Sequence, residues 1–151
     1  MSETRPGSEQ VKVSIEELVA RMSELKGQLE VLEATINTYL SQYRELQLAH
    51  ETLKNLPDSV QDGYVVIDRL SAVMIPSKIE EGWSSRVLVN LGLGYYIKTT
   101  REKAMEILSN RIRELEKVLR DIQARHQMLL REYSAIQRIL SQVAEARQSS
   151  T

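Results

Sequence analysis

The chain has 151 residues, a formal net charge of −1, no cysteine, no phenylalanine and a single tryptophan. Without thiols there can be no disulfide, thiolate metal site or cysteine nucleophile, and the near-balanced charge argues against a general nucleic-acid binder. Aromatics at 5% and charged residues at 27% suit long helices that each bury one stripe, not a thick core.

The opening "MSETRPGSEQ" mixes proline, glycine, serine and charges without an apolar run, so residues 1–14 read as a frayed tail and not a signal peptide. From Ile15 the apolar residues fall into 3-4 spacing: Ile15, Leu18, Met22, Leu25, Leu29, Leu32, Ile36, Tyr39, Tyr43, Leu46 and Leu53, interrupted by His50. That pattern predicts a coiled-coil helix over 15–56. Pro57 ends it, because the residue before a proline disfavours helical angles.

Residues 57–100 change character. "YVVI", "AVMI", "RVLVNL" and "YYIK" are short, β-branched or aromatic, and separated by turn-forming groups, which predicts four strands in two hairpins. Pro76 is expected at a strand end, Gly82 near the middle link, and Gly92-Leu93-Gly94 at the second turn. That turn lacks the Lys-Ser/Thr of a phosphate loop and precedes a strand, so no nucleotide site is read there. Small hairpins are marginal alone and their open edges invite pairing, so this insert is expected to be an assembly module. Its apolar face would be carried by Val65, Ile67, Val73, Ile75, Val87, Val89, Leu91, Tyr95 and Ile97, with Val87, Val89 and Leu91 alternating onto one side.

A second helix is predicted over 101–147, after the possible N-caps Thr99 and Thr100, with residues 148–151 as a tail. Its stripe is Met105, Leu108, Ile112, Leu115, Leu119, Ile122, His126, Leu129, Tyr133, Ile136, Leu140 and Val143. The stripes 15–53 and 105–143 are equally long, about 57 Å each at the helical rise, and so predict an antiparallel pair. Ile15 would lie near Val143, and Leu53 near Met105. Helix 1 carries four basic and seven acidic residues, helix 2 ten and seven, so opposite net charge favours the pairing. His50 and His126 would lie far apart in this register and read as register-setting seam positions, not a metal pair.

At the open end of the pair, Val11, Val13, Val19 and Ile139 widen the seam formed by Ile15, Leu18, Met22, Ile136, Leu140 and Val143. These ten residues are a candidate apolar binding surface; the bland alternative is a slightly wide seam. The sequence holds no Ser-His-Asp set, no motif-spaced carboxylates and no apolar run long enough to span a membrane, so neither enzyme activity nor cofactor is expected, and a cytoplasmic location is.

The segment "VMIPSKIEEGWSSRVLVNLGLGYYIKTTREKAMEIL", flanked by two equal coiled-coil runs, resembles the α class of prefoldin subunits. Pro76, Val87 to Val89, Gly92, Gly94, Tyr95, Tyr96, Lys103 and Ala104 carry the resemblance, and Lys98 departs from it where the family often has an acidic residue. The resemblance implies a mainly α fold in which an antiparallel two-helix hairpin carries two β-hairpins that build an inter-subunit barrel. It implies a heterohexamer of two α and four β subunits, an ATP-independent chaperone that holds non-native polypeptides at the arm ends and delivers them to a group II chaperonin. Two other readings come from the residues: a scaffold rod oligomerised through its β insert, and a coiled-coil RNA-binding arm, which the mixed charges near the helix ends disfavour.

Overall fold

The computed structural model describes residues 14–149, which hold two long helices and four strands. Helix α1 spans Ile15–Asn55 and helix α2 spans Arg101–Gln148. Between them lie β1 (Gln61–Val66), β2 (Met74–Ile79), a 3-10 turn (Trp83–Ser85), β3 (Val87–Gly92) and β4 (Tyr95–Thr99). Both helix starts are capped. Glu17 N–H donates to Ser14 Oγ at 3.1 Å while Ser14 N–H donates to Glu17 Oε2 at 2.8 Å, a reciprocal capping box. At α2 the Lys103 N–H donates to Thr100 Oγ1 at 3.2 Å, which selects Thr100 over Thr99 as the cap.

The chain divides into two compact units, residues 14–37 with 120–149, and residues 38–119. In the first, the opening part of α1 packs antiparallel on the closing part of α2. Leu25, Leu29, Leu129 and Ile136 are buried, and Leu18, Met22, Leu32, Tyr133 and Leu140 pack around them. Two polar contacts fix the direction: Arg21 reaches Glu132, and Glu33 reaches His126. Met22 therefore shares a cluster with Ile136, as the 3-4 spacing predicts. The Arg21–Glu132 pair puts the base on α1 and the acid on α2, opposite to the net bias of the two helices. Geometry of individual side chains, and not summed charge, selected it.

The second unit contains the rest of both helices and the two hairpins. Its buried residues are Val89, Ala104, Leu108 and Leu119. Both hairpins are antiparallel two-stranded sheets, β1 with β2 and β3 with β4, with no strand shared between them. Two details differ from the sequence expectation. Pro76 lies inside β2, opposite Tyr64, and not at its end. In a two-stranded sheet every strand is an edge, so a missing N–H is tolerated mid-strand. The register of β3 on β4 shifts between Asn90 and Gly92, which places Leu91 in a bulge. The bulge interrupts the two-residue alternation, so Leu91 does not continue the row begun by Val87 and Val89.

Candidate interaction surfaces

The hairpin faces are built from residues the sequence singles out, but they are not equally available. Val65, Ile67, Val73, Ile75, Leu91, Tyr95 and Ile97 are all exposed. Ile67 and Val73 lie just beyond the paired strands, where Ile67 N–H donates to Val73 O at 3.3 Å and extends the hairpin. Val87 is half-buried, and Val89 is buried within the chain itself, beside a groove it lines with Leu53 and Leu108. A residue already packed in its own subunit cannot also present that side chain to another. Apolar side chains are exposed on the opposite strand faces too, at positions the sequence reading passed over: Tyr64, Val66, Met74, Leu88 and Tyr96, with Leu70 in the β1–β2 loop.

Local geometry holds the hairpin ends in place. In the β1–β2 loop the Asp68 carboxylate accepts backbone N–H bonds from Leu70, Ala72 and Val73 at 2.8, 3.1 and 2.8 Å. Those bonds hold its carboxyl below the usual carboxylate range, the Ala72 and Val73 bonds most strongly, while partial desolvation opposes them. They also close a loop in which Ser71 has a positive φ of 55°. In the β3–β4 turn Gly92, Leu93 and Gly94 have φ of 97°, 53° and 82°. Two glycines suit that path. Leu93 does not, and its side chain is 98% exposed with nothing to offset the left-handed strain.

The open end of the helix pair is less exposed than the sequence suggests. Ile15, Leu18, Met22, Leu140 and Val143 are half-buried and Ile136 is buried in the seam. Val19 and Ile139 are exposed, at the seam edges. Val11 and Val13 lie outside the described residues. Beside this surface Arg21 grips Glu132 with Nε and Nη2, at 2.7 and 3.1 Å, and Nη1 holds Glu24 at 2.9 Å. The fork lowers the Glu132 carboxyl below its ordinary range and raises the Arg21 guanidinium further above its own. His126 meets Glu33 at 3.1 Å from the half-buried seam. In the other unit Tyr43 Oη donates to Glu116 at 3.0 Å, and that acceptor raises the phenol pKa.

Sequence reasoning missed a polar joint where the helices meet the hairpins. Arg101, the first residue of α2, donates Nη1 to Leu56 O at 3.3 Å and pairs with Asp58 at 3.1 Å. Its guanidinium carbon lies 5.7 Å from the centroid of the Trp83 ring. Trp83 Nε1 in turn donates to Pro57 O at 2.8 Å. The lone tryptophan was the available signal, but nothing local in the sequence links positions 57, 83 and 101.

Among the described residues no three His, Asp or Glu side chains are grouped as a metal site, and no helix is long and apolar enough to cross a membrane. A family model described as "Prefoldin subunit" matches residues 25–146. The prefoldin subunit alpha of Metallosphaera sedula is 32% identical over 133 residues, 88% of this chain and 91% of that protein. That of Hyperthermus butylicus is 27% identical over 143 residues, 95% of this chain and 92% of that protein. A chain in a cryo-EM structure of filamentous PFD from Methanocaldococcus jannaschii is similar at a TM-score of 0.45 and 21% identity, covering 84% of this chain and 95% of that one. Two long helices joined through paired β-hairpins, with a family match across nearly all of them, make this chain a member of the prefoldin family of non-enzymatic chaperones.

Proposed function

We propose that the chain is the alpha subunit of an ATP-independent holdase built from two alpha and four beta prefoldin subunits. The observation that carries this reading is the set of exposed apolar side chains on both faces of the hairpins, Tyr64, Val65, Val66, Met74 and Ile75 on one hairpin and Leu88, Tyr95 and Ile97 on the other. Apolar surface of that extent is costly in water, and burial by a neighbouring subunit recovers roughly 25 cal/mol for each Å² still exposed. The hairpins of several subunits then close a common barrel, which removes the open strand edges.

Unfolded polypeptides are held at the open end of the helix pair, by Val11, Val13, Ile15, Leu18, Val19, Met22, Ile139, Leu140 and Val143, with Ile136 buried behind them in the seam. Each helix pair offers a small apolar patch, so one contact binds weakly and several around a common cavity bind through raised effective concentration. Weak separate contacts release one at a time without nucleotide hydrolysis, and the client passes to a group II chaperonin in the cytoplasm. The test is co-expression with a beta prefoldin subunit. A complex with the mass of a hexamer that suppresses aggregation of a diluted, denatured protein supports the reading; a hexamer without suppression leaves a scaffold instead.

A further inference from the structure

We propose that Arg101 and Trp83 are positioning residues for assembly: together they lock the link between the two hairpins onto the exit of α1, so that both hairpins are presented in one arrangement. The inference rests on the assembly reading above. Three points far apart in sequence meet here. Leu56 O and Asp58 belong to the exit of α1, Trp83 to the link between β2 and β3, and Arg101 to the entry of α2. One guanidinium bonds the first and lies over the ring of the second at cation–π distance, and the indole N–H closes the triangle onto Pro57 O at 2.8 Å.

Each group is suited to that task and not readily replaced. The Arg101 side chain is only 22% exposed, so its bonds are partly shielded from water. A planar fork can hold a carbonyl and a carboxylate while its face covers an aromatic ring, whereas a lysine ammonium is a point charge that cannot do all three. Trp83 supplies both the ring face and the directed N–H that a phenylalanine lacks. The two sheets share no strand. Nothing in the ladder hydrogen bonds therefore fixes one hairpin relative to the other, and the link that Trp83 occupies is where such a constraint has to act. A barrel that must close from several hairpins is sensitive to their relative placement, because a misplaced hairpin cannot satisfy both of its edges.

The test uses the full chain with a beta prefoldin subunit and compares four variants for assembly affinity, by mass photometry on dilution, and for helix unfolding, by far-UV circular dichroism of the chain alone. Arg101→Lys is expected to weaken assembly roughly tenfold with unfolding unchanged, and Trp83→Phe, which keeps the ring, to fall between it and the parent protein. Thr100→Ala removes the α2 cap without touching the joint; it is expected to lower the unfolding temperature and leave assembly affinity intact. Tryptophan emission of Arg101→Lys, from the one indole in the chain, should become more readily quenched by acrylamide as the cover is lost. Val65→Asp checks the underlying reading, since that exposed strand face must be buried if the hairpins assemble the complex. If Val65→Asp assembles normally, the assembly reading falls. If it fails to assemble while Arg101→Lys assembles like the parent, or if Arg101→Lys only lowers helix stability as Thr100→Ala does, the positioning role is overturned.

Discussion

Leu93 shows what a single side chain can cost when neither packing nor backbone favours it. Its φ of 53° belongs to the left-handed region, and its side chain is 98% exposed, so there is no burial to lose on replacement. Asparagine tolerates that region, and Leu93→Asn is expected to raise the stability of the chain by about 1 kcal/mol in urea unfolding. If Leu93 instead plugs into a neighbouring subunit, the same variant will weaken the hexamer while stabilising the free chain, and the two measurements separate these roles. Glu132 makes a prediction of another kind. Arg21 holds its carboxyl below the ordinary range, so the pair stabilises the first unit above the unfolded-state pKa and that contribution fades as pH falls through the lowered folded value. Amide protection near Arg21, relative to the intrinsic exchange rate at each pH, should fall on acidification in the parent protein, and Glu132→Gln should flatten that part of the profile.

At the scale of elements, the helices and the hairpins are secured by different means. Every residue of the two apolar stripes, both histidines included, is buried or half-buried, so within each unit the helices rest on an apolar seam. Replacing Met22 and Ile136 by cysteine should give a disulfide within one chain on oxidation, seen as a mobility shift reversed by reductant, because both pack into one cluster. Failure to cross-link would refute the register. The β1–β2 hairpin has no such seam and depends on its loop. Asp68→Ala removes the acceptor for three backbone N–H groups, and is expected to raise amide exchange in β1 and β2 while leaving helix content unchanged. Acidification should lower the protection of the same amides, relative to the intrinsic exchange rate at each pH. The Asp68 pKa is lowered by the fold, so its contribution is present above the unfolded value and is lost below the folded one.

For the molecule as a whole, the decisive prediction separates assembly from client capture. Removing residues 1–22 together with 137–151 should leave a hexamer of correspondingly reduced mass that no longer suppresses aggregation. The hairpins and their joint survive that truncation, whereas Val19, Ile139, Leu140 and Val143 do not. Full protection by the truncated hexamer would place the client surface elsewhere, on the β platform. Loss of the hexamer itself would show that the helix ends contribute to assembly.

The sequence by itself determined the elements and their direction. Helical periodicity over about forty residues is long enough that no other structure satisfies it, and equal stripes leave one economical way to pair them. Two β-branched segments around Gly92-Leu93-Gly94 similarly declare a hairpin. The tertiary structure decided matters that depend on contacts distant in sequence. It buried Val89 and Ile136 while leaving Val65 and Val19 in water, though all four read alike as apolar positions. It slipped Leu91 into a bulge, which a two-residue period does not record. It also brought Arg101 over Trp83 and Trp83 onto Pro57, because a guanidinium, an indole and a carbonyl find one another through the fold and leave no local pattern behind.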